Sequence, residues 1–409
     1  MNFSLAAVSG TQFKKMTLYA LMAFWVVLTF SPALMEITFT ISLILWLAFK
    51  IKTGWVFPLI SRKLLIPLSG FLLLSLSSIF WSEYPPQSLR GLLKVLKPVL
   101  VFLMTWDTLE ADTLPLFERT FFATAALVIA DCVFQYFVGR DFLRWSPSEP
   151  SGAGVRISGG LGSYGKLASY LVCTIPYLAT SAWAAFKEKK QMAAMLRLCL
   201  FLGSFLILFW TRSRGAFFAF SLGLMLVLIL KRQVRILLIF AAAFSVFVLL
   251  LPKNMVIHLD AEKKEQSLVE RYYLWDRALS VIKAKPLTGT GINTYAVAHQ
   301  KYDTTQSWRV KNYYAHNGYL QLAAETGLPT LVCFIWFLFQ YFFDSFRNPG
   351  GSDLTNRLAR LGLLTGALNF LFLATVDTVL HSPQPGLTFW FLLGLQMVYC
   401  KDVAGQKAP

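Results

Sequence analysis

The sequence predicts an all-α polytopic membrane protein of about 12 transmembrane helices, each of about 20 residues, with one long loop that contains short amphipathic helices. Three observations predict it. The 409 residues are 56% hydrophobic and only 14% charged, against about 25% charged in ordinary soluble domains. A mean hydropathy of +0.56 is too high for one aqueous core to hide so much apolar surface. The apolar runs are long and continuous, as in LCLFLGSFLILFW at 198–210, whereas barrel strands alternate over about ten residues. A soluble enzyme, a disordered chain and a fibrous protein are excluded.

Taken in order, the apolar segments fall at 17–35, 37–51, 64–80, 89–106, 117–138, 164–186, 196–211, 215–230, 235–251, 328–343, 359–378 and 385–400. Lys14 and Lys15 precede the first, which continues to Pro32 without a small-residue cleavage site, so an uncleaved first helix is expected. Basic clusters follow the even-numbered segments: Lys50, Lys52, Arg62 and Lys63, then Lys187, Lys189, Lys190 and Arg197, then Lys231, Arg232 and Arg235. The positive-inside rule places these exits and both termini in the cytoplasm. The loop with Asp107, Glu110, Asp112 and Glu118 has only Arg119, but acidic residues weigh little in that rule. In the fourth segment Arg90, Lys94 and Lys97 share a helical face. They either snorkel to the membrane edge or face a cavity, and Lys97 is a candidate substrate contact.

The division that results is 1–251 with nine spans, 252–327 as an outer loop domain, and 328–409 with three spans and a short cytoplasmic tail. Within the loop, Leu268, Tyr272, Trp275, Leu279 and Ile282 repeat at helical spacing, which predicts an amphipathic helix ended by Pro286 and the Gly289/Gly291 turn. A second short helix is expected from His316 to Thr326, closed by Gly327, with Pro329 opening the tenth span. The net charge of +17 is spread in short clusters and makes no nucleic-acid stripe. Cys132, Cys173, Cys199, Cys333 and Cys400 lie in or beside apolar runs, so neither a disulfide framework nor a metal cluster is read from them.

Acidic pairs are scarce. Glu110/Asp112 falls on the cytoplasmic side, Asp260/Glu262 in the long loop, and the first outer loop offers only Glu36. A metal site is therefore disfavoured, and no cofactor is called for. Arginine beside lipid stands out instead. In FWTRSRGAFF, Arg212 and Arg214 sit between two apolar runs. Guanidinium matches two phosphate oxygens in a fork and stays charged at physiological pH; the alternative is a tight turn that binds lipid headgroups. Arg271, in VERYYLW, lies beside the apolar stripe of the loop helix, and its alternative is an ion pair with Glu270 or Asp276. Arg156 heads the Gly-rich stretch RISGGLGSYGKLASYL, whose amides could cradle phosphate. His316, in NYYAHNGYLQLAAETG, suits proton transfer near neutral pH; its alternative is a packed or capping residue. His381, in ATVDTVLHSPQP, is a second candidate, while His258 and His299 lack a supporting pattern.

Four elements occur in order: Arg156 with its Gly-rich stretch, Ser213 to Ala216 after an apolar run, Arg271 and Trp275 with PLTGTGIN beyond them, and His316, Asn317, Leu320, Glu325 and Gly327 before a span. The ordered set resembles the O-antigen ligase and O-antigen polymerase superfamily. The resemblance implies glycosyl transfer at the periplasmic face of a Gram-negative inner membrane. The implied donor is a glycan on undecaprenyl diphosphate, and the acceptor is lipid A–core oligosaccharide for a ligase or a lipid-linked repeat unit for a polymerase. It gives His316 the acceptor and Arg214 and Arg271 the diphosphate, with Arg156 and Asp377 as further matches; Arg212 and Asn317 beside them are candidate substrate contacts. Such a site needs no metal, because the arginines would stabilise the leaving charge. Length and a single late loop favour the ligase over the polymerase. A non-enzymatic lipid-linked glycan transporter is the competing class, although neither inverted halves nor paired broken helices are seen.

Overall fold

In the computed structural model, residues 9–55, 62–151, 154–233, 261–302, 314–347 and 353–405 are described, with positions 235 and 238. Among them are fourteen α-helices and one two-stranded hairpin. The chain begins with α1 (Gly10–Val27), opened by a capping box between Ser9 and Gln12, and α2 (Pro32–Thr53). The break between them lies at 28–31 and not near residue 36, as the apolar runs suggested. Its cause is local: the Ser31 hydroxyl accepts the Leu34 amide at 3.2 Å, and Pro32 takes the first helical position, where its missing N–H costs nothing. Glu36 consequently rides on α2 and is not in a loop.

The helices α3 (Arg62–Ser77), α4 (Pro85–Thr108), α5 (Leu114–Val138), α6 (Tyr164–Lys187), α7 (Gln191–Thr211) and α8 (Arg214–Leu230) follow. Later come α9 (Ala261–Ala284), α10 (Tyr295–Ala298), α11 (Gly318–Thr326), α12 (Leu328–Arg347), α13 (Leu354–Leu373) and α14 (Pro383–Gly405). Among the described residues, five helical stretches are long and apolar enough to cross a membrane: α2, residues 111–138, α6, α7 and α12. The apolar helices α3 and α8 are shorter. The expected segment 89–106 lies inside the continuous α4, whose basic residues keep it out of that set. The expected span at 235–251, together with His258 and Asp260, lies outside the described residues.

The site is positioned by three helices, with α13 packed against both α6 and α8. Gly362 and Gly366 stand one turn apart on α13. A Cβ on Gly366 would come 2.0 Å from the Cys173 carbonyl oxygen, and one on Gly362 would come 2.7 Å from the Tyr177 Cα. Lipid supplies no hydrophobic drive between helices, so small residues that allow backbones to touch are what hold such pairs together. Aromatic packing fills the neighbouring layer, where the fully buried Trp25 meets Phe121 at 5.6 Å and Phe391 at 4.8 Å.

The late loop is tied down by carboxylates. Glu325, 2% exposed, accepts the amides of Asn293 at 2.8 Å and Tyr295 at 3.2 Å. Glu83, between α3 and α4, bonds both Lys285 and Lys301, and these bonds, Lys285 first, lower its carboxyl to about 2. Residues 268–282 fall within α9, which stops at Ala284 before Pro286, and Gly327 closes α11.

Candidate active site

Each candidate side chain is held by a local device. Helix α7 ends at Arg212, which takes a left-handed φ of 52°. Ser213 then caps α8 by accepting the Ala216 amide at 3.4 Å, and Arg214 is its first residue. A two-residue reversal thus presents two guanidinium groups at one spot. A left-handed conformation costs a residue with a Cβ about 1–2 kcal/mol, so the turn is held by its surroundings. Close by, the Ile157 amide donates to the Trp210 carbonyl at 3.3 Å and so joins the Gly-rich stretch to the end of α7.

That stretch is suspended from α5. Gln135 accepts the amides of Ser158 at 2.9 Å and Gly159 at 2.8 Å, and Asp131 accepts that of Gly160 at 2.7 Å. Arg156 ends β2 (Gly154–Arg156), paired antiparallel with β1 (Glu149–Ser151), and its guanidinium lies 4.4 Å from the Tyr164 ring centroid. Such a cation–ring contact orients the group without neutralising it.

On the loop side, His316 also adopts a left-handed φ, of 47°. The segment around it is fixed from three directions. Asn317 caps α11 by accepting the amides of Tyr319 and Leu320 at 3.0 Å each, the Gly318 amide donates to Ala374 at 2.7 Å, and Trp275 of α9 donates to the His316 carbonyl at 3.4 Å. His316 Nδ1 lies 3.6 Å from Asp377 Oδ1, in the turn after α13, with side chains 33% and 38% exposed. Desolvation pushes the Asp377 carboxyl up, but the His316 contact, the Thr378 amide and the Arg271 charge outweigh it and hold it below the usual carboxylate range.

These parts converge on one cavity of about 590 Å³. Arg156, Arg212, Arg214, Arg271, His316 and Asp377 all line it, with Ser163, Tyr164 and Gly215. Four arginines therefore line one cavity together with Asp377. The first residues of α6 and α8 line it too, which adds the partial positive charge of two helix N-termini. The arrangement can hold a polyanion through forked hydrogen bonds beside an imidazole that lies 3.6 Å from a carboxylate.

Two expected contacts are not in this set. Lys97 is hydrogen-bonded to Glu36 and does not line the cavity, and the Asn317 side-chain oxygen is occupied in capping α11. Asp276, one of the acids considered for Arg271, is paired with Arg277 at 2.7 Å. The sequence reading missed Tyr164 and Lys166, although both follow directly on the Gly-rich stretch. It also missed Asp131 and Gln135, buried polar groups in an apolar helix, and that mismatch was the signal that could have revealed them.

Residues 199–335 match the family described as O-Antigen ligase (Wzy_C). The chain is also similar to the Exopolysaccharide production protein ExoQ of Rhizobium meliloti (strain 1021), with 24% identity over 298 residues, 69% of this chain. The match spans 66% of that protein, just under two thirds of its length. Arg212, Arg214, Arg271 and His316 all fall inside the family match. Both matches support a likeness to the O-antigen ligase and polymerase superfamily, and the family model covers about a third of the chain.

Proposed function

We propose that the protein is an O-antigen ligase. It transfers a glycan from undecaprenyl diphosphate to a hydroxyl of lipid A–core oligosaccharide at the periplasmic face of a Gram-negative inner membrane. One observation carries the proposal: four arginines and a His316 side chain 3.6 Å from Asp377 share a single cavity. In the reaction the acceptor oxygen bonds to the anomeric carbon while the bond from that carbon to the diphosphate breaks. The electron pair leaves with the diphosphate, where Arg214 and Arg271 stabilise the developing charge, with Arg156 and Arg212 beside them. His316 takes the hydroxyl proton, and Asp377 steadies the imidazolium that forms. The reaction needs no metal.

A second reading is favoured by the name of the relative, an exopolysaccharide production protein. With the same donor, a lipid-linked repeat unit as acceptor would make the protein a polymerase. Purified protein incubated with undecaprenyl-diphosphate glycan, and with either lipid A–core or no second acceptor, tests both. Product only with lipid A–core supports the ligase, whereas lipid-linked dimers of the repeat unit without it support the polymerase. Strong chelation should leave the rate unchanged; loss that magnesium or manganese restores would end the metal-free mechanism.

A further inference from the structure

A second cavity of about 310 Å³ adjoins the arginine cavity and shares Ser163, Gly165 and Asp377 with it. Lys94 of α4 and Lys166 of α6 line this second space, with His381 across from them in the turn before α14. Among the described residues neither lysine is paired with a carboxylate. Lys94 Nζ donates to Asn293 Oδ1 at 2.6 Å, and Lys166 Nζ donates to Gln384 Oε1 at 3.2 Å. Amide oxygens satisfy the hydrogen bonds of an ammonium group but leave its charge uncompensated. The carboxylate in this lining, that of Asp377, is engaged with His316. The space is thus cationic, and its lining meets that of the arginine cavity at Ser163, Gly165 and Asp377, the last of which lies 3.6 Å from the proposed base.

We infer that this second cavity is the acceptor subsite, and that Lys94 and Lys166 recognise a phosphate or carboxylate carried by the acceptor sugar near its attacking hydroxyl. The inference rests on the glycan transfer proposed above and adds the chemical class of the acceptor: an anionic saccharide. A sugar seated there would reach the anomeric carbon across the shared wall, lose its hydroxyl proton to His316 as the new carbon–oxygen bond forms, and leave the diphosphate with the electron pair on the arginine side. A phospholipid headgroup offers the same anionic chemistry, so the test must separate the two sources.

The full chain, Lys94→Gln and Lys166→Gln should be assayed in nanodiscs with undecaprenyl-diphosphate glycan and lipid A–core. The acceptor is used in its phosphorylated form and after phosphatase treatment, and acceptor binding is measured beside turnover. Each Gln variant should raise the acceptor KM about tenfold, the usual scale for one charge-assisted hydrogen bond, and leave the donor KM unchanged. Phosphatase-treated acceptor should be equally poor for all three proteins. Lys166→Arg should retain most of the affinity, which separates charge from packing. Unchanged acceptor KM in both Gln variants overturns the inference. So does an effect that follows the phosphatidylglycerol content of the nanodisc and not acceptor phosphorylation. Lysine-dependent binding of the phosphorylated acceptor without any transfer would support the subsite and overturn the ligase reading instead.

Discussion

Lys50 and Asp107 meet at 2.6 Å with side chains 2% and 6% exposed, and Trp46 donates its indole N–H to the same carboxylate at 2.8 Å. The arginine cavity instead brings four arginines together with Asp377. The first cluster is dry and balanced, as a buried pair must be if its desolvation is to be repaid. The second lines an open cavity with four arginines and the carboxylate of Asp377, an arrangement that suits an anionic ligand better than it suits the packing of helices. The contrast teaches how to read charge in this bundle: a matched pair holds helices together, whereas an excess of one sign waits for a ligand of the other.

The largest expected effect would break the comparison at its reactive centre. His316→Ala should lower glycan transfer about a hundredfold to ten-thousandfold, the range for a general base, while expression, melting temperature and donor binding stay near wild type. A collapsed melting temperature would show that His316 belongs with the balanced, structural cluster. Normal turnover would remove it from the mechanism.

The opposite pattern is expected at the buried pair. Lys50→Met strands the Asp107 carboxylate, which should cost about 3–5 kcal/mol of stability, visible as a lowered melting temperature in detergent. The double variant Lys50→Met/Asp107→Leu should recover most of that loss. The KM for the donor should not change in either case. If the double variant is as unstable as the single one, the pair is more than a charge balance.

Much of this division was legible in the sequence, because it follows from local pattern. Arg212 and Arg214 announce themselves as charges between two apolar runs, and Asn317 to Gly327 carries both caps of a short helix. The start of α2 was also readable, since Ser31 before Pro32 is a capping signal, but continuous hydropathy across 17–35 masked it. Long-range partners were not legible. Nothing near Asp131 in sequence shows that it holds the amide of Gly160, or that Lys97 meets Glu36. Such contacts are fixed by how distant helices pack, and hydropathy does not encode that.

A finer test asks whether the cavity uses the shape of arginine or only its charge. Arg214→Lys and Arg271→Lys keep the charge but replace a planar fork with a compact ammonium. Each should slow transfer at least about tenfold, equivalent to roughly 1.4 kcal/mol, with a larger loss for Ala. A simple electrostatic anchor instead predicts near wild-type rates for both Lys variants at low salt, and a common decline with Arg as salt rises. That second outcome would reduce the cavity to an unspecific anion trap.

The smallest expected effect concerns Asp377, the carboxylate that sits in the unbalanced cluster yet is held below its usual range. A depressed carboxyl contributes stability that is complete above its unfolded value, about 3.9, and that is lost as pH falls through the lower folded value. The melting difference between wild type and Asp377→Asn should therefore stay constant from pH 8 to about pH 5 and shrink only below about pH 4. Its size should be modest, up to about 1 kcal/mol, because a side chain that is 38% exposed is screened by solvent. The variant should nevertheless lose activity, since an imidazole without its carboxylate is neither oriented nor stabilised once protonated. A melting difference that instead changed between pH 8 and pH 5 would show that titration of the Asp377 carboxyl is not what sets the stability of the pair.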